Sequence, residues 1–265
     1  MSKPLIDDDL WAVVEPLLPP AKPRRLDHPG RKPLANRAVL NGIVFVLKTG
    51  INWDDLPAEL GWGGSRTCRQ RLHDWHEAGV WQKLHQALLS KLRGAGKIDW
   101  SRAAVDSSKV RALNGGDKTG PNPTDRGKKG SKHHILTDGK GVPLAASLTA
   151  ANRNDITEML PLVDAVPPVA GKPGRPRQRP DKLYADRGYD GEEKREALRE
   201  RGIEPKIAKR GKPHGSGLGV FRYVAEQCIS WLHGFKRLRI RYERTAFMHE
   251  ALLSLACSLI CFRHL

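Results

Sequence analysis

Lys182-Leu-Tyr-Ala-Asp-Arg-Gly-Tyr-Asp-Gly191 is the stretch from which the rest of this chain is best read. A short apolar run, Leu183 to Ala185, ends at Asp186, and Gly188 follows where the backbone must turn. That order predicts a strand whose end presents a carboxylate at the rim of a sheet, a place to hold a metal ion. Asp and Gly are also ordinary turn residues, so the same stretch serves equally as plain turn chemistry. Two further acids strengthen the metal reading. Ala103-Ala-Val-Asp106-Ser-Ser-Lys-Val110 reads as a second strand ending in an acid, and a downstream helix carries Glu226.

The surroundings of those acids are strongly basic. Lys and Arg total 46 against 29 Asp and Glu in 265 residues, a net charge of +17. Such an excess points to a polyanionic partner, nucleic acid first, with a merely soluble basic protein as the bland alternative. The length suits one large domain or a medium domain with a small one. The longest uncharged apolar run, 251–262, is too short to span a bilayer and reads as a buried helix. The first residues lack a basic region followed by an apolar stretch, so an intracellular protein is expected. Cys68, Cys228, Cys257 and Cys261 form no Cys-x-x-Cys pair and read as reduced core residues.

Upstream, the chain reads as helices. Asp7 to Asp9 cap a helix through Leu10, Val14 and Leu17, and Pro19-Pro20 stop it. Residues 21–33 form a basic loop that either follows phosphates or serves as a linker. A second helix spans 34–48, closed by Gly50. A third begins at Ser65, with Cys68, Leu72 and Trp75 facing inward and Arg66, Arg69, Gln70 and His73 outward. Helix, turn, basic helix is the order of a helix-turn-helix, so those four outward residues are candidate DNA contacts, although any three-helix bundle gives a similar pattern. A fourth helix, 80–92, closes a small all-α domain. Gly94-Ala-Gly96 divides the chain into residues 1–96 and 97–265.

The second part reads as strands and helices in turn. A strand reaches Asp106, a Gly- and Lys-rich loop covers 114–132, and a hairpin turns at Asp138-Gly-Lys-Gly141. A helix follows over 156–166, then a Pro-, Gly- and Arg-rich loop over 167–180 that either follows phosphates or serves as a linker. Next come the strand 182–185, a charged helix 192–201, a short strand 203–208, a basic stretch 206–214 and a helix 220–238. That last helix turns Val224, Ala225, Cys228, Trp231, Leu232 and Phe235 inward and Arg222, Glu226, His233 and Arg237 outward. A final apolar helix, 246–262, packs on the sheet. His133 and His134 read as strand surface, and Asp138 and Asp190 as turn residues.

Three strands, a helix, a strand, a helix, a strand and two helices is the order of a ribonuclease-H-like α/β fold, and the position of the acids in it narrows the choice beyond a generic sheet. Two Mg2+ ions about 4 Å apart can activate an attacking oxygen and neutralise a leaving oxygen in displacement at phosphorus. Magnesium prefers a few carboxylates, leaving positions for water and phosphate. On this reading Asp106 bridges two ions and Asp186 and Glu226 each complete one site, with Mn2+ able to replace Mg2+. Glu243, in the basic stretch 236–244, competes with Glu226, its bland role being a salt bridge.

With these residues in view, the chain resembles the IS5-type insertion-sequence transposases of the DDE (Asp-Asp-Glu) group. The likeness rests on Leu10-Trp11, Pro16-Leu-Leu-Pro19, Arg37-Ala-Val-Leu-Asn-Gly-Ile43, Leu47-Lys-Thr-Gly50 and Trp53-Asp-Asp-Leu-Pro57. Around the acids it rests on Val105-Asp-Ser-Ser108, Ala185-Asp-Arg-Gly-Tyr-Asp190 and Arg222-Tyr-Val-Ala-Glu-Gln227. The resemblance implies that Asp106, Asp186 and Glu226 are the metal-binding acids of a transposase. Such an enzyme binds the inverted-repeat ends of its element, cleaves double-stranded DNA and joins the freed 3′-hydroxyl to target DNA. It also implies an oligomer at paired ends and a bacterial, nucleoid-associated location in the cytoplasm. Arg222, His233, Lys236 and Arg237 join the candidate DNA contacts. Gly219 stands where the wider group has Tyr, and His233 where it has Lys. The rivals are a ribonuclease-H-like nuclease without strand transfer and a DNA-binding protein with a dead catalytic domain.

Overall fold

Asp7 accepts a hydrogen bond from the Leu10 N–H at 3.0 Å and so starts helix α1 (Asp8–Val14) where its cap is expected. Helix α2 (Asn36–Thr49) ends on Gly50, whose φ of +75° is the left-handed cap that glycine adopts without strain. Helices α3 (Ser65–Glu77) and α4 (Val80–Gly94) complete the helical part. Cys68, Leu72 and Trp75 of α3 are buried as their spacing requires. The computed structural model describes residues 5–20, 27, 32–211 and 217–265. Most of the basic loop expected over 21–33, and the end of the basic stretch 206–214, lie outside the described residues.

The second part is a mixed sheet. Strand β1 (Ala103–Ala112) is central and pairs antiparallel with β3 (Lys129–Asp138), which pairs antiparallel with β4 (Pro143–Ala150). On its other side β1 pairs in parallel with β5 (Lys182–Ala185), and β5 in parallel with β6 (Glu204–Ile207). The order β4-β3-β1-β5-β6, with the first three antiparallel and the last two parallel to β1, is the ribonuclease-H-like arrangement. Two short strands extend it: β2 (Gly120–Pro121) beside β3 and β7 (Ile240–Arg241) beside β1. Helices α5 (Ile156–Asp164) and α6 (Glu192–Glu200) accompany the crossovers, and α7 (Gly219–Gly234) and α8 (Ala246–Arg263) follow.

One buried cluster runs from Ile6 through α2, α3 and α4 into the sheet and α8. Helix α8 is long and apolar enough to cross a membrane by length and composition, yet it is mostly buried within the fold. All four cysteines are free and buried.

Several expectations need correction. Asp106 lies in the middle of a ten-residue strand and not at its end, because β3 continues to pair with β1 as far as Arg111. It is the parallel neighbour β5 that stops, at Ala185. Strand β3 begins at Lys129, inside the region expected as loop, and His133 and His134 are buried and not on the surface. Helix α7 ends at Gly234, short of residue 238. Beyond that end the helical periodicity no longer fixes direction, and Arg237, expected to face outward, is turned inward and only 4% exposed.

Candidate active site

Strand pairing brings the two aspartates side by side. Ala104 pairs with Tyr184, and these two residues carry Val224 and Ala225 of α7 on one face of the sheet. Side chains alternate along a strand, so Asp106 and Asp186, each two residues further on, turn to that same face. Asp186 is still in extended conformation, φ −80° and ψ −178°. Its Oδ1 accepts the Gly188 N–H at 2.8 Å and caps a single 3-10 turn, Arg187–Tyr189. Gly188 does not need a positive φ. Its value is space, since a Cβ there would meet Asp186 Oδ1 at 2.9 Å.

Helix α7 carries the third candidate acid, Glu226. With Val224, Ala225 and Cys228 buried against the sheet, Arg222 and Glu226 lie off that stripe, Glu226 exposed and Arg222 half-buried. The electrostatics tie the group together. Burial pushes the Asp106 pKa up, the Ser107 N–H at 2.8 Å and the Arg222 charge oppose this, and the Asp186 and Glu226 charges push it further up. Arg222 Nε is buried without a hydrogen-bond partner among the described residues. A carboxylate whose ionised form is disfavoured by two neighbouring carboxylates, beside an unsatisfied guanidinium N–H, suits a divalent cation and a phosphate oxygen. The donor set therefore fits a hard metal ion. It is open, however: among the described residues the group whose ligand atoms all lie within 4.8 Å of one another is His73, Asp74 and Glu77 on α3.

Behind this face lie groups that the sequence gave no reason to single out. Ser107, on the opposite face of β1, donates to Asp155 Oδ1 at 2.8 Å, and Lys132 Nζ reaches the same oxygen at 2.8 Å. Burial would raise the Asp155 pKa, but the bonds from Lys132 and Ser107 outweigh it and hold it low. The buried Tyr189 hydroxyl is pushed up by burial and by the charges of Asp155, Asp106 and Asp186. Asp155 looked like an ordinary residue before a helix, and Lys132 like one more loop lysine. The fold brings them to the Ser107 side of β1, Lys132 on the paired strand β3 and Asp155 from the start of α5.

On the near side, His233 Nε2 lies 3.3 Å from Ser108 Oγ, two residues from Asp106. Burial, then the Arg239 charge, lowers the His233 pKa, so the ring is neutral near pH 7. Glu243 is elsewhere. Its carboxylate is 2.8 Å from both Nε and Nη2 of Arg237 and 3.2 Å from His249 Nδ1. Burial would raise its pKa, but the His249 bond and the Arg237 charge hold it at about 2. His249 continues to His133, Nε2 to Nε2 at 2.8 Å. This is the salt-bridge role weighed for Glu243.

The α3 side chains form a separate group. Arg66, Arg69 and Gln70 are exposed and His73 is half-buried. Gln70 donates to Asp74 at 2.7 Å, Arg69 stands 4.0 Å from Asp54, and His73 packs on Phe247. Lys236 is exposed just after α7, whereas Arg237 donates to the Ile51 carbonyl and faces the interior.

Comparison with known proteins identifies the family. Residues 6–85 match a family described as transposases of the IS4/5 family, and residues 99–261 match the transposase DDE domain. A transposase of insertion sequence element IS402 from Burkholderia cepacia is 62% identical over 151 residues, 57% of this chain and 72% of the relative. A 16.2 kDa protein of the same element is 62% identical over 123 residues, 46% of this chain and 84% of the relative. The transposase of IS1106 from Neisseria meningitidis is 29% identical over 130 residues, 45% of this chain and 40% of the relative. A crystal structure of a pre-cleavage Mos1 transpososome aligns over 88% of this chain and 80% of its own at 12% identity, with a TM-score of 0.29, too low to establish a shared fold.

Proposed function

Because the chain belongs to the IS4/5 family of DDE transposases, we propose that Asp106, Asp186 and Glu226 are the acids with which it cleaves DNA at the ends of its element and joins the freed 3′-hydroxyl to target DNA. The observation that carries this is the common face: Asp106 and Asp186 at the same level of two parallel strands, with α7 packed on that face. Asp106, half-buried and under the charges of the other two acids, would hold Mg2+ or Mn2+ together with Asp186 and Glu226. When bound, such ions activate the attacking oxygen and neutralise charge on the leaving oxygen.

The protein's own groups do the rest. Arg222, whose charge acts on Asp106, draws a phosphate to the same face. Neutral His233, held by Ser108, offers a hydrogen bond in place of the fixed cation of the wider group. Asp155, Lys132 and Tyr189 keep β1 and the 186–189 turn in place from below. Residues 1–96 form the DNA-binding part, with Arg66, Arg69, Gln70 and His73 of α3 reading the inverted repeats and Lys236 contacting backbone phosphate. Residues 97–265 form the catalytic part. Two ends held together call for an oligomer, and the site of action is the bacterial nucleoid in the cytoplasm.

The test is direct. Purified protein is incubated with end-labelled duplexes of the element's ends, a target plasmid and Mg2+. Nicked ends and joined products are expected from the wild type, and neither from Asp106→Asn. Cleavage without joined product makes the chain a nuclease. Binding with no cleavage under any divalent ion makes it a DNA-binding protein only.

A further inference from the structure

The helical part packs on the sheet along a seam that does not close completely. His76 at the end of α3, Trp81 and His85 of α4, Ala145 and Ala146 of β4 and Leu253 of α8 line a cavity of about 300 Å3 there, at the lower end of what small-molecule sites enclose. The opening has a cause in the sequence. Strands favour branched and aromatic side chains, but β4 brings the alanine pair of Pro143-Leu-Ala-Ala-Ser147 to the seam, too small to fill it. Trp81 is fully buried and His76 is 8% exposed, yet Trp81 Nε1 and His76 Nδ1 have no hydrogen-bond partner among the described residues. Buried polar atoms left unpaired destabilise a fold unless something meets them. The neighbouring rings are held: Phe247 packs edge-on to His76 with centroids 4.4 Å apart, and His85 Nε2 donates to the Pro143 carbonyl at 2.8 Å.

The chemistry of the lining selects the occupant. Burial lowers the pKa of both His76 and His85, against the Glu250 charge in the first and the Pro143 carbonyl bond in the second, so both rings are neutral near pH 7. The Glu250 carboxylate, also on the cavity, is already held by Lys118 Nζ at 2.6 Å. A charged ligand would lose its hydration there without gaining a free counter-charge. Trp81 Nε1–H can only donate, and a neutral imidazole has one donor and one acceptor nitrogen. Water is a poor filling, because each molecule needs two to four polar partners and much of the wall is Leu253, the alanines and Cys257. We infer that this seam is a binding site for a small, neutral, fused-ring organic molecule that accepts a hydrogen bond from Trp81 Nε1–H, pairs with His76 Nδ1 and lays its apolar frame on β4 and α8. Touching α3 and α4 as well as β4 and α8, such a molecule ties the helical part to the sheet.

The probe is carbostyril, a neutral fused-ring lactam with one carbonyl and one N–H, set against naphthalene, which has neither, and quinaldate, which is charged. Binding to the full chain is read by titration calorimetry and by the indole N–H resonances, that of Trp81 being assigned as the one missing from Trp81→Phe. Saturable binding of one carbostyril per chain is expected, with the Trp81 resonance shifted. Trp81→Phe keeps a ring but loses the donor, and should bind carbostyril about 3- to 10-fold more weakly, the worth of one hydrogen bond. Naphthalene should bind the wild type about tenfold more weakly than carbostyril, again for want of a hydrogen bond, and quinaldate not detectably. Ala146→Leu, a change at a half-buried wall position, fills the cavity and should abolish binding with the thermal midpoint kept. If Trp81→Phe does not fold, Ala146→Leu and the two comparison compounds still decide. No saturable binding of carbostyril, undiminished binding to Ala146→Leu, or naphthalene or quinaldate binding as tightly as carbostyril overturns the site. None of these readouts involves DNA, so that result leaves the transposase assignment standing.

Discussion

Asp106 sits under opposed influences: burial and two neighbouring carboxylates favour its neutral form, while Ser107 N–H and Arg222 favour the anion. A cation needs the anion. Because the folded pKa is raised, the binding form is lost at a higher pH than for a free aspartate as the solution is acidified. Mg2+-dependent cleavage should therefore begin to fall at a higher pH than a free aspartate would give, and a pH–rate profile flat to about pH 4 would count against this assignment. Gly188 gives a second residue-level outcome. Gly188→Ala places a methyl 2.9 Å from Asp186 Oδ1 without straining φ, so the carboxylate must shift while the fold holds. Cleavage is expected to drop by up to about 100-fold with an unchanged thermal midpoint. A variant as active as the wild type would mean that Asp186 does not need its present position.

Among the elements, the segment after α7 shows what ties the helical part to the sheet. Arg237 and Glu243 are nearly fully buried, with Arg237 also bonded to the Ile51 carbonyl and Glu243 to His249. Arg237→Ala leaves a buried carboxylate without its main partner, and a loss of about 3–5 kcal/mol in denaturant unfolding is expected. A loss below about 1 kcal/mol would place the pair among weak surface bridges. The pH dependence has the opposite sense to that of Asp106. Glu243 has its folded pKa depressed to about 2 from an ordinary 4.5, so its contribution is full above about pH 4.5 and lost as pH falls toward 2. This network was not legible in the sequence. Helical periodicity carried past Gly234 sends Arg237 outward, and a histidine in a strand says nothing about what will pack over it. The caps and the strand end were legible, because Asp7, Gly50 and the run Leu183 to Ala185 act through local backbone chemistry. So was the stripe of α7. The level of Asp106 relative to Asp186 was not, since it depends on how far β3 accompanies β1 beyond the last residue of β5.

For the whole molecule, the ribonuclease-H-like order of elements could be read from the strands and helices together with where the acids fall among them, but the unbroken core from Ile6 to α8 could not. It arises because α8 offers apolar surface all round, and periodicity alone does not say which neighbours will cover it. The net charge of +17 acts at this scale too. If 6–10 phosphates are engaged, affinity for end DNA should fall about 10³- to 10⁵-fold between 50 and 200 mM salt. A change smaller than about tenfold would show that the charge is not spent on DNA. The most direct measurement asks where a divalent ion binds. Fe2+ replaces Mg2+ in the presence of ascorbate and peroxide, so that radicals cut the chain next to the bound metal. Fragments ending near residues 106, 186 and 226, all suppressed by excess Mg2+, are expected from one site built on three distant parts of the chain. Cuts confined to residues 73–77, where His73, Asp74 and Glu77 lie together on α3, would contradict it.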